Sequence, residues 1–237
     1  MRLVEDLIDS IAHLDCRVKR ACVGLHWTVV ESEYTGMAHT YKGGTKAELE
    51  LSGDLVGRSA FELSTRIRSW QPLEASLGLA AMNSLIKPDG QPGNAFERVV
   101  RNGAGKIVTV VGRFPSNERI AQVARRVYFL EMDPREGELP PNACEEVIPE
   151  SDVVVITATA LINKTLPRLL ELSRDAMAVV LGPSTPMNNV LFHYGADILA
   201  GVRVTDTDEL ISSVTQGVKE FRKLAGIEAV MRSRPDH

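Results

Sequence analysis

The second half of the chain is a succession of short apolar runs, rich in β-branched residues, that alternate with helical or turn segments. Five such runs are KIVTVVG, RVYFLEM, DVVVITAT, AMAVVLG and DILAGVRV. Unbroken apolar runs, unlike alternating ones, are typical of parallel strands that are covered on both faces. Right-handed crossovers between them would build an open, doubly wound parallel sheet with the strand order 2-1-3-4-5. We therefore predict an α/β fold.

The first part of the chain has a mixed periodicity, which predicts a smaller α+β unit. Apolar residues at helical spacing predict a first helix that runs to about Val18. The segments VGLHWTVV and MAHTY predict a hairpin. A second helix is expected from Gly53 or Asp54 to Trp70, and Pro72 ends it. The third helix, LEASLGLAAMNSLI, is rich in small residues, which would let another backbone approach closely.

The segment KPDGQPGN is the clearest boundary in the chain. It holds two prolines and two glycines, which are typical of a linker. We therefore predict two domains, residues 1–93 and residues 94–237. The second domain is expected to end in an amphipathic helix, TDELISSVTQGVKEFRKL, with Leu210, Val214, Val218 and Phe221 on its apolar side.

Charge is spread evenly along the chain, which argues against several classes of function. The 237 residues carry a formal net charge of -4, and neither half is basic, so we expect no nucleic-acid partner and no membrane partner. No segment has the roughly 18 apolar residues of a membrane span. Three cysteines without a CxxC pair fit reduced thiols, and we expect a cytoplasmic protein.

Doubly wound sheets bind ligands at the carboxyl ends of their strands, where the winding direction reverses. The first run ends at Gly112, which permits a tight turn, and Ser116 or Asn117 can cap the next helix. Phe114 and Asn117 stand where the dinucleotide fingerprint has glycines, although an acid, Glu131, follows about 20 residues on. These features alone fit a nucleotide site and an incidental likeness equally well.

Two further loops bring hydrogen-bonding groups to the same edge of the predicted sheet. The loop after the third run offers Thr157, Thr159, Asn163, Lys164 and Thr165, and the loop after the fourth run offers Gly182, Pro183, Ser184 and Thr185. Such groups suit a carboxylate or a phosphate. Helix capping is the alternative explanation for any one of them. Three adjacent loops of this kind are harder to explain by capping alone.

The histidines do not form a familiar metal-binding pattern. None of the five occurs in an HxH, HxxxH or HExxH spacing. His26 and His39 would face each other across the predicted hairpin, where they could be ligands or could simply pack. No GxSxG elbow and no Walker loop occurs, so the common hydrolase and kinase mechanisms gain no support.

The order of these motifs resembles the putative heavy-metal chelation family, a group of domains of unknown function. The resemblance runs from about Val23 to Gly217, and ITATALINKT and GPSTP are its most specific parts. It implies a small α+β enolase N-terminal-like domain followed by a Rossmann-like domain, with a ligand cleft between the two. It also implies a role in handling metal ions or metal-containing cofactors.

The resemblance adds residues of the first domain to the candidate site. The matching positions are Trp27, Thr28, Glu74, Gly78, Asn83, Gly112, Arg113, Phe114, Pro115, Glu131, Thr157, Asn163, Thr165, Gly182, Pro183, Ser184 and Thr185. Arg113 stands where many members have His, which would replace a ligand or proton carrier by a fixed cation. Ala158 stands where glycine is common, which would narrow that loop.

We weigh three hypotheses for the function. In the first, the cleft binds a small anionic ligand or a metal chelate: Arg113 pairs with its carboxylate or phosphate, the loop 182–185 cradles it, and Glu74 or Glu131 supplies an oxygen or a proton. In the second, the Rossmann-like domain is an enzyme that uses a nucleotide or S-adenosylmethionine. In the third, the loops are structural and the small-residue helix lies at the interface of a homo-oligomer.

Overall fold

The computed structural model describes residues 2–43, 48–115 and 117–235, and these ranges contain ten strands and nine α-helices. The strands are β1 (Arg20–Val23), β2 (Trp27–Glu31), β3 (Thr35–His39), β4 (Gln91–Pro92), β5 (Ile107–Val111), β6 (Arg126–Leu130), β7 (Val153–Thr157), β8 (Met177–Leu181), β9 (Ile198–Val204) and β10 (Ile227–Ser233). The helices are α1 (Arg2–Ser10), α2 (Ala60–Ser64), α3 (Pro72–Leu85), α4 (Ala95–Gly103), α5 (Asn117–Val123), α6 (Cys144–Val147), α7 (Leu166–Leu172), α8 (Val190–His193) and α9 (Thr207–Thr215).

The five predicted runs form the centre of a seven-stranded, mostly parallel sheet. The strand order is β4-β10-β9-β8-β7-β5-β6, and β5 to β9 are parallel in the predicted order 2-1-3-4-5. A separate three-stranded antiparallel sheet, β1-β2-β3, belongs to the first part of the chain. The α/β class is therefore confirmed. We call α1 to α3 with β1 to β3 the N-terminal unit, and β4 to β10 with α4 to α9 the sheet unit.

Both faces of the inner parallel strands β5, β7, β8 and β9 are mostly buried, which is why their sequences are continuously apolar. In β7, Val153 and Val155 belong to a cluster that includes Phe96 of α4. Val154 and Ile156 point to the other face, because successive side chains of a strand alternate. That second cluster also contains side chains of α1, α3, α7 and α8, so one continuous apolar core joins the N-terminal unit to the sheet unit.

Two strands of the sheet lie outside the predicted runs. β10 pairs antiparallel with β9, and β4 pairs antiparallel with β10 through Gln91 opposite Met231. β4 is part of the segment KPDGQPGN, so the predicted linker contributes a short edge strand to the sheet. Because β4 has only two residues, it is too short to show the alternating pattern that predicts a strand.

The predicted last helix is shorter than expected. α9 ends at Thr215, and Val218 and Phe221 lie beyond it. Gly217 has a φ of 78°, its N–H donates to the Val214 carbonyl (3.1 Å), and the Val218 N–H donates to the Ser213 carbonyl (3.1 Å). This is the hydrogen-bond pattern of a glycine that ends a helix in the left-handed conformation.

The N-terminal unit differs from prediction at three places. The first helix ends at Ser10 rather than near Val18. The predicted hairpin is a three-stranded meander, because a turn closed by the Gly24 N–H and the Trp27 carbonyl (2.9 Å) divides VGLHWTVV into β1 and β2. The second helix begins at Ala60 rather than near Gly53, since Ser59 Oγ accepts from the N–H of Glu62 (3.0 Å) and caps it there.

The third predicted helix, α3, is the most deeply buried helix of the N-terminal unit. Its small residues let two other backbones approach it, as expected. A Cβ added to Gly78 would lie 2.1 Å from the Ile67 nitrogen, and one added to Gly36 of β3 would lie 2.3 Å from the Ala80 carbonyl oxygen. These contacts are within one chain, and the subunit interface of the third hypothesis stays a prediction. No described helix is both long and apolar enough to cross a membrane.

Replacing Gly78 by Ala tests this close packing. The added methyl group meets backbone rather than a movable side chain, so Gly78→Ala should lower the free energy of unfolding by about 3 kcal/mol or more. The matched control is Gly93→Ala, where the new Cβ would lie 3.1 Å from Sδ of the flexible Met231 side chain, and the expected change is within about 1 kcal/mol. Urea unfolding followed by circular dichroism measures both. Equal effects of the two substitutions would contradict the packing described.

Candidate functional site

The loop after β8 fastens the sheet unit to the N-terminal unit. The backbone N–H of His39, at the end of β3, donates to Ser184 Oγ (2.9 Å). Asn83 Nδ2, near the end of α3, donates to the Ser184 carbonyl oxygen (3.1 Å) and to the Met37 carbonyl oxygen (3.0 Å). Ser184 is only 1% exposed. We call these four residues, Met37, His39, Asn83 and Ser184, the domain joint.

The other residues of this loop also have partners inside the chain. The Thr185 hydroxyl lies 2.7 Å from the Gly182 carbonyl oxygen and 2.9 Å from the Ala200 carbonyl oxygen, and Thr185 is buried. Gly182 has a φ of 126°, a conformation that favours glycine, and Pro183 is half-buried. The polar side chains of this loop thus form hydrogen bonds within the chain. Contact of the loop with a ligand stays a prediction.

A series of three rings, Trp27, His39 and Tyr41, borders the domain joint. The ring centroids of Trp27 and His39 are 5.4 Å apart and those of His39 and Tyr41 are 5.0 Å apart, both edge to face. In the strand register Trp27, not His26, lies opposite His39, which corrects the predicted pairing. Burial, with the charges of His26 and Lys219, lowers the pKa of His39, so its imidazole is neutral at neutral pH.

Four buried polar side-chain atoms have no hydrogen-bond partner among the described residues; one is Arg232 Nε in β10, and the other three lie at the ring series, the domain joint and the start of α5. These three are Trp27 Nε1, Asn83 Oδ1 and Asn117 Oδ1. The two carbonyl oxygens that accept from Asn83 Nδ2 fix the orientation of this amide. A buried polar group without a partner is rare in a folded protein, so each of these atoms calls for an explanation.

The loops after β5 and β7 touch at the point where the winding of the sheet reverses. A Cβ added to Gly112, whose φ is 109°, would lie 3.0 Å from Thr157 Cβ. The Phe114 ring packs edge-on against Phe96 (centroids 5.7 Å apart) and belongs to the core beneath α4. The predicted capping by Ser116 lies outside the described residues.

Arg113 already has a carboxylate partner. Its guanidinium forms a two-point ion pair with Glu138 (Nε to Oε1, 2.9 Å), and its Nη2 donates to the Asp133 carbonyl oxygen (2.6 Å). The ion pair, with the N–H of Arg135, lowers the pKa of Glu138 from 4.5 to about 2. Sequence reasoning missed Glu138. The predicted pairing of Arg113 with a ligand would have to replace this internal bond.

Glu131 lies at the carboxyl end of β6, as predicted, and is half-buried. Burial raises the pKa of its carboxyl group, and the nearby charge of Arg113 opposes that shift. Its Oε2 accepts from the N–H of Met132 (3.3 Å). A carboxyl group with a raised pKa at a strand end is a candidate proton donor, and that role of Glu131 stays a prediction.

The hydroxyls of the β7 loop mostly bond to one another. Thr157 Oγ1 lies 2.9 Å from Thr159 Oγ1 and caps the short 3-10 helix Ala158–Leu161. Asn163 Oδ1 accepts from the N–H (3.2 Å) and from the hydroxyl (2.7 Å) of Thr165. Bonds within the loop thus account for these four polar residues: Thr157 caps the 3-10 helix, whereas Asn163 and Thr165 close a local turn without capping α7. Asn163 and Thr165 are exposed.

Glu74 lies away from the domain joint. It is in the first turn of α3, whereas Asn83 is nine residues further on, about 13 Å along the helix axis. Glu74 is 4% exposed, its Oε1 accepts from the Glu50 N–H (2.7 Å), and its Oε2 lies 3.1 Å from Arg66 Nη1. The structure therefore does not bring Glu74 together with the strand-end loops.

An opening between the two units, which sequence reasoning missed, lies beside the end of β9. Its volume is about 360 Å³, and its lining includes Tyr34, Lys87 and Arg203. Arg203 Nη1 pairs with Glu228 (2.9 Å), and its Nη2 donates to the carbonyl oxygens of Pro88 (3.3 Å) and Gly90 (2.9 Å). Arg203 thus anchors the segment that leads into β4.

The described residues do not fit a bare metal ion held by protein ligands alone. Within residues 2–43, 48–115 and 117–235, no three side chains of His, Cys, Asp or Glu converge as a metal site would require. Cys16, Cys22 and Cys144 are all free thiols. The aromatic series contributes a single imidazole, that of His39.

Comparison with known proteins identifies the family. Residues 4–86 and residues 94–230 match two family models, and both are described as putative heavy-metal chelation. The chain belongs to the putative heavy-metal chelation family. The predicted resemblance is thereby confirmed. The two matches lie on either side of the segment 87–93, which contains β4.

Two solved structures of the family share its fold across almost the whole chain. One is a protein of unknown function from Desulfitobacterium hafniense, 29% identical, with a TM-score of 0.88 and 98% of both chains covered. The other, also of unknown function, is from Pyrococcus horikoshii, 18% identical, with a TM-score of 0.81 and the same coverage. An uncharacterised protein of Methanocaldococcus jannaschii is 24% identical over 81% of this chain and 74% of its own.

Replacing Arg113 tests the ion pair at the β5 loop. Arg113→Gln should return the pKa of Glu138 from about 2 toward 4.5, as measured by NMR titration of its carboxyl carbon. Because the folded pKa is the lower one, the stability from this pair is present above about pH 4.5 and lost toward pH 2. Arg113→Gln should therefore lose less stability than the wild type when the pH falls from about 4.5 to 2.

The control for this experiment is Arg119→Gln. Arg119 pairs with Glu97 of α4 at the surface. Its replacement should leave the pKa of Glu138 unchanged. A Glu138 pKa that does not move in Arg113→Gln would contradict the ion pair.

Proposed function

We propose that the chain binds a small anionic ligand or a metal chelate in the cleft between the two units, at the carboxyl ends of β5, β7 and β8. The observation that carries this proposal is the set of unpartnered buried atoms, Trp27 Nε1, Asn83 Oδ1 and Asn117 Oδ1. Each such atom costs about 1–3 kcal/mol if it stays unsatisfied. A ligand that supplies the missing partners would recover part of that free energy.

The chemistry of these atoms favours a ligand with oxygen groups. The indole N–H of Trp27 can only donate, so its partner must be an acceptor such as a carboxylate or phosphate oxygen. The two amide oxygens can only accept, so they suit a protonated group or a water bound to a metal. The neutral His39 imidazole beside Trp27 has a basic nitrogen that can accept a proton or approach a metal.

The metal, if it takes part, is proposed to arrive with its own ligands. One imidazole with amide and hydroxyl groups suits the outer surface of a chelate, through hydrogen bonds to its oxygen atoms. Handling of such a complex is consistent with the description of the family. The role of the chain residues is then to bind and orient the complex and to exclude water around it.

A second candidate function is the use of a nucleotide or S-adenosylmethionine. Glu131 at the end of β6 favours it, because this is where a ribose-binding acid stands in dinucleotide-binding sheets. Calorimetric titration with NAD, NADP, ATP and S-adenosylmethionine tests it. Heat of binding from any of them that Glu131→Gln abolishes would favour this candidate over the first.

The two tryptophans provide a matched test of the proposed function. Trp27→Phe keeps the ring and removes the Nε1–H, so it should weaken binding of the ligand by about 10-fold. The control is Trp70→Phe, since Trp70 is 73% exposed and should not matter. Isothermal titration calorimetry of both variants uses citrate, inorganic pyrophosphate and the nickel complex of citrate as probes.

The wild-type protein is expected to bind at least one of these probes. In Trp70→Phe the remaining Trp27 should also report binding by a change in fluorescence. If no probe binds, or if Trp27→Phe binds as tightly as the wild type, the proposed site is wrong. Tighter binding of nickel citrate than of citrate would show that the metal belongs to the ligand.

A further inference from the structure

Lys164, in the β7 loop, has an unusual backbone conformation. Its φ is 65°, and among the described residues it is the one non-glycine with a positive φ. The Lys164 N–H donates to the Leu161 carbonyl (3.4 Å) and the Thr165 N–H to the Ala160 carbonyl (2.9 Å), which closes the preceding turn of helix. Glycine is the usual residue at this position of a helix end, because a side chain is strained there.

The side chain of Lys164 is as unusual as its backbone. It is half-buried, and Nζ donates to the Ile162 carbonyl oxygen (2.8 Å). No carboxylate of the described ranges lies within salt-bridge distance of it, in contrast to Arg113, whose charge Glu138 compensates. Burial alone lowers the pKa of Lys164 to about 8, so the amine still carries most of its charge at neutral pH.

A strained position with a half-buried, uncompensated cation is a combination that folding alone does not favour. Glycine would relieve the backbone strain, and an apolar side chain would avoid the desolvation of the charge. Backbone strain and perturbed ionisable groups are both concentrated at binding sites. The same loop begins at Thr157, which touches Gly112 where the winding of the sheet reverses.

We propose that Lys164 is the cation that binds the anionic group of the ligand, a carboxylate or a phosphate, in the place that sequence reasoning gave to Arg113. This inference rests on the proposed function, since it names the charge that an anionic ligand would meet. The ligand anion would compensate the half-buried ammonium group. Lys164 belongs to the loop that follows β7, and Thr157, at the start of this loop, contacts Gly112 of the loop after β5.

The test compares four variants by calorimetry with inorganic pyrophosphate and citrate. Lys164→Met and Lys164→Gly should weaken binding by at least about 10-fold, and Lys164→Arg should keep most of it. Lys106→Met is the matched control, because Lys106 is an exposed lysine at the opposite edge of the sheet, before β5, and should bind as the wild type does. Lys164→Gly should also unfold at a temperature no lower than the wild type, which separates lost binding from lost folding.

A second measurement follows the lysines directly by NMR after methylation with a carbon-13 label. Lys164 should titrate near pH 8 in the free protein and at higher pH when pyrophosphate is present. If Lys164→Met binds pyrophosphate and citrate as tightly as the wild type, Lys164 is not the anion-binding cation. The proposed function is then judged separately, by the affinity of Trp27→Phe. Loss of affinity in Lys164→Met with none in Trp27→Phe would keep Lys164 and overturn the interdomain position. A Lys164 signal that responds to neither probe would overturn the assignment by itself.

Discussion

The backbone-to-backbone packing of α3 is the constraint on which the rest of the molecule depends. Gly78 and Gly36 bring main-chain atoms of two other segments against this helix, so α3 cannot rotate or slide without losing both contacts. Near the C-terminal end of α3, Asn83 also bonds to the loop after β8. The position of the ring series relative to the strand ends is therefore set by one rigid helix.

The parallel strands could be predicted from the sequence because burial on both faces leaves a local record, the unbroken apolar run. The remaining differences come from interactions that no local pattern carries. β4 is a strand only through its hydrogen bonds to β10, and β10 in turn pairs with β9. The end of α9 is a local feature, and Gly217 could have marked it in the sequence.

The polar loops at the strand ends were predictable in their place on the sheet and less so in their hydrogen bonds. Polar loops do follow β5, β7 and β8, as the apolar runs indicated. Their partners, however, come from distant parts of the chain: His39 for Ser184, and Glu138 for Arg113. A sequence shows which groups can form hydrogen bonds, and only the fold decides which are already engaged. The sequence shows Lys164 as one polar residue of the β7 loop. Its left-handed backbone conformation and the lack of a carboxylate partner depend on the fold and leave no local sequence pattern.

The pairing of β4 with β10 has a consequence for the order of events during synthesis. Residues 91–92 leave the ribosome long before residues 227–233, and β10 is their strand neighbour in the sheet. The connection between the two units can therefore complete its pairing only after β10 has been made. Until then the N-terminal unit is tethered to the sheet unit by a segment that lacks its final strand partner.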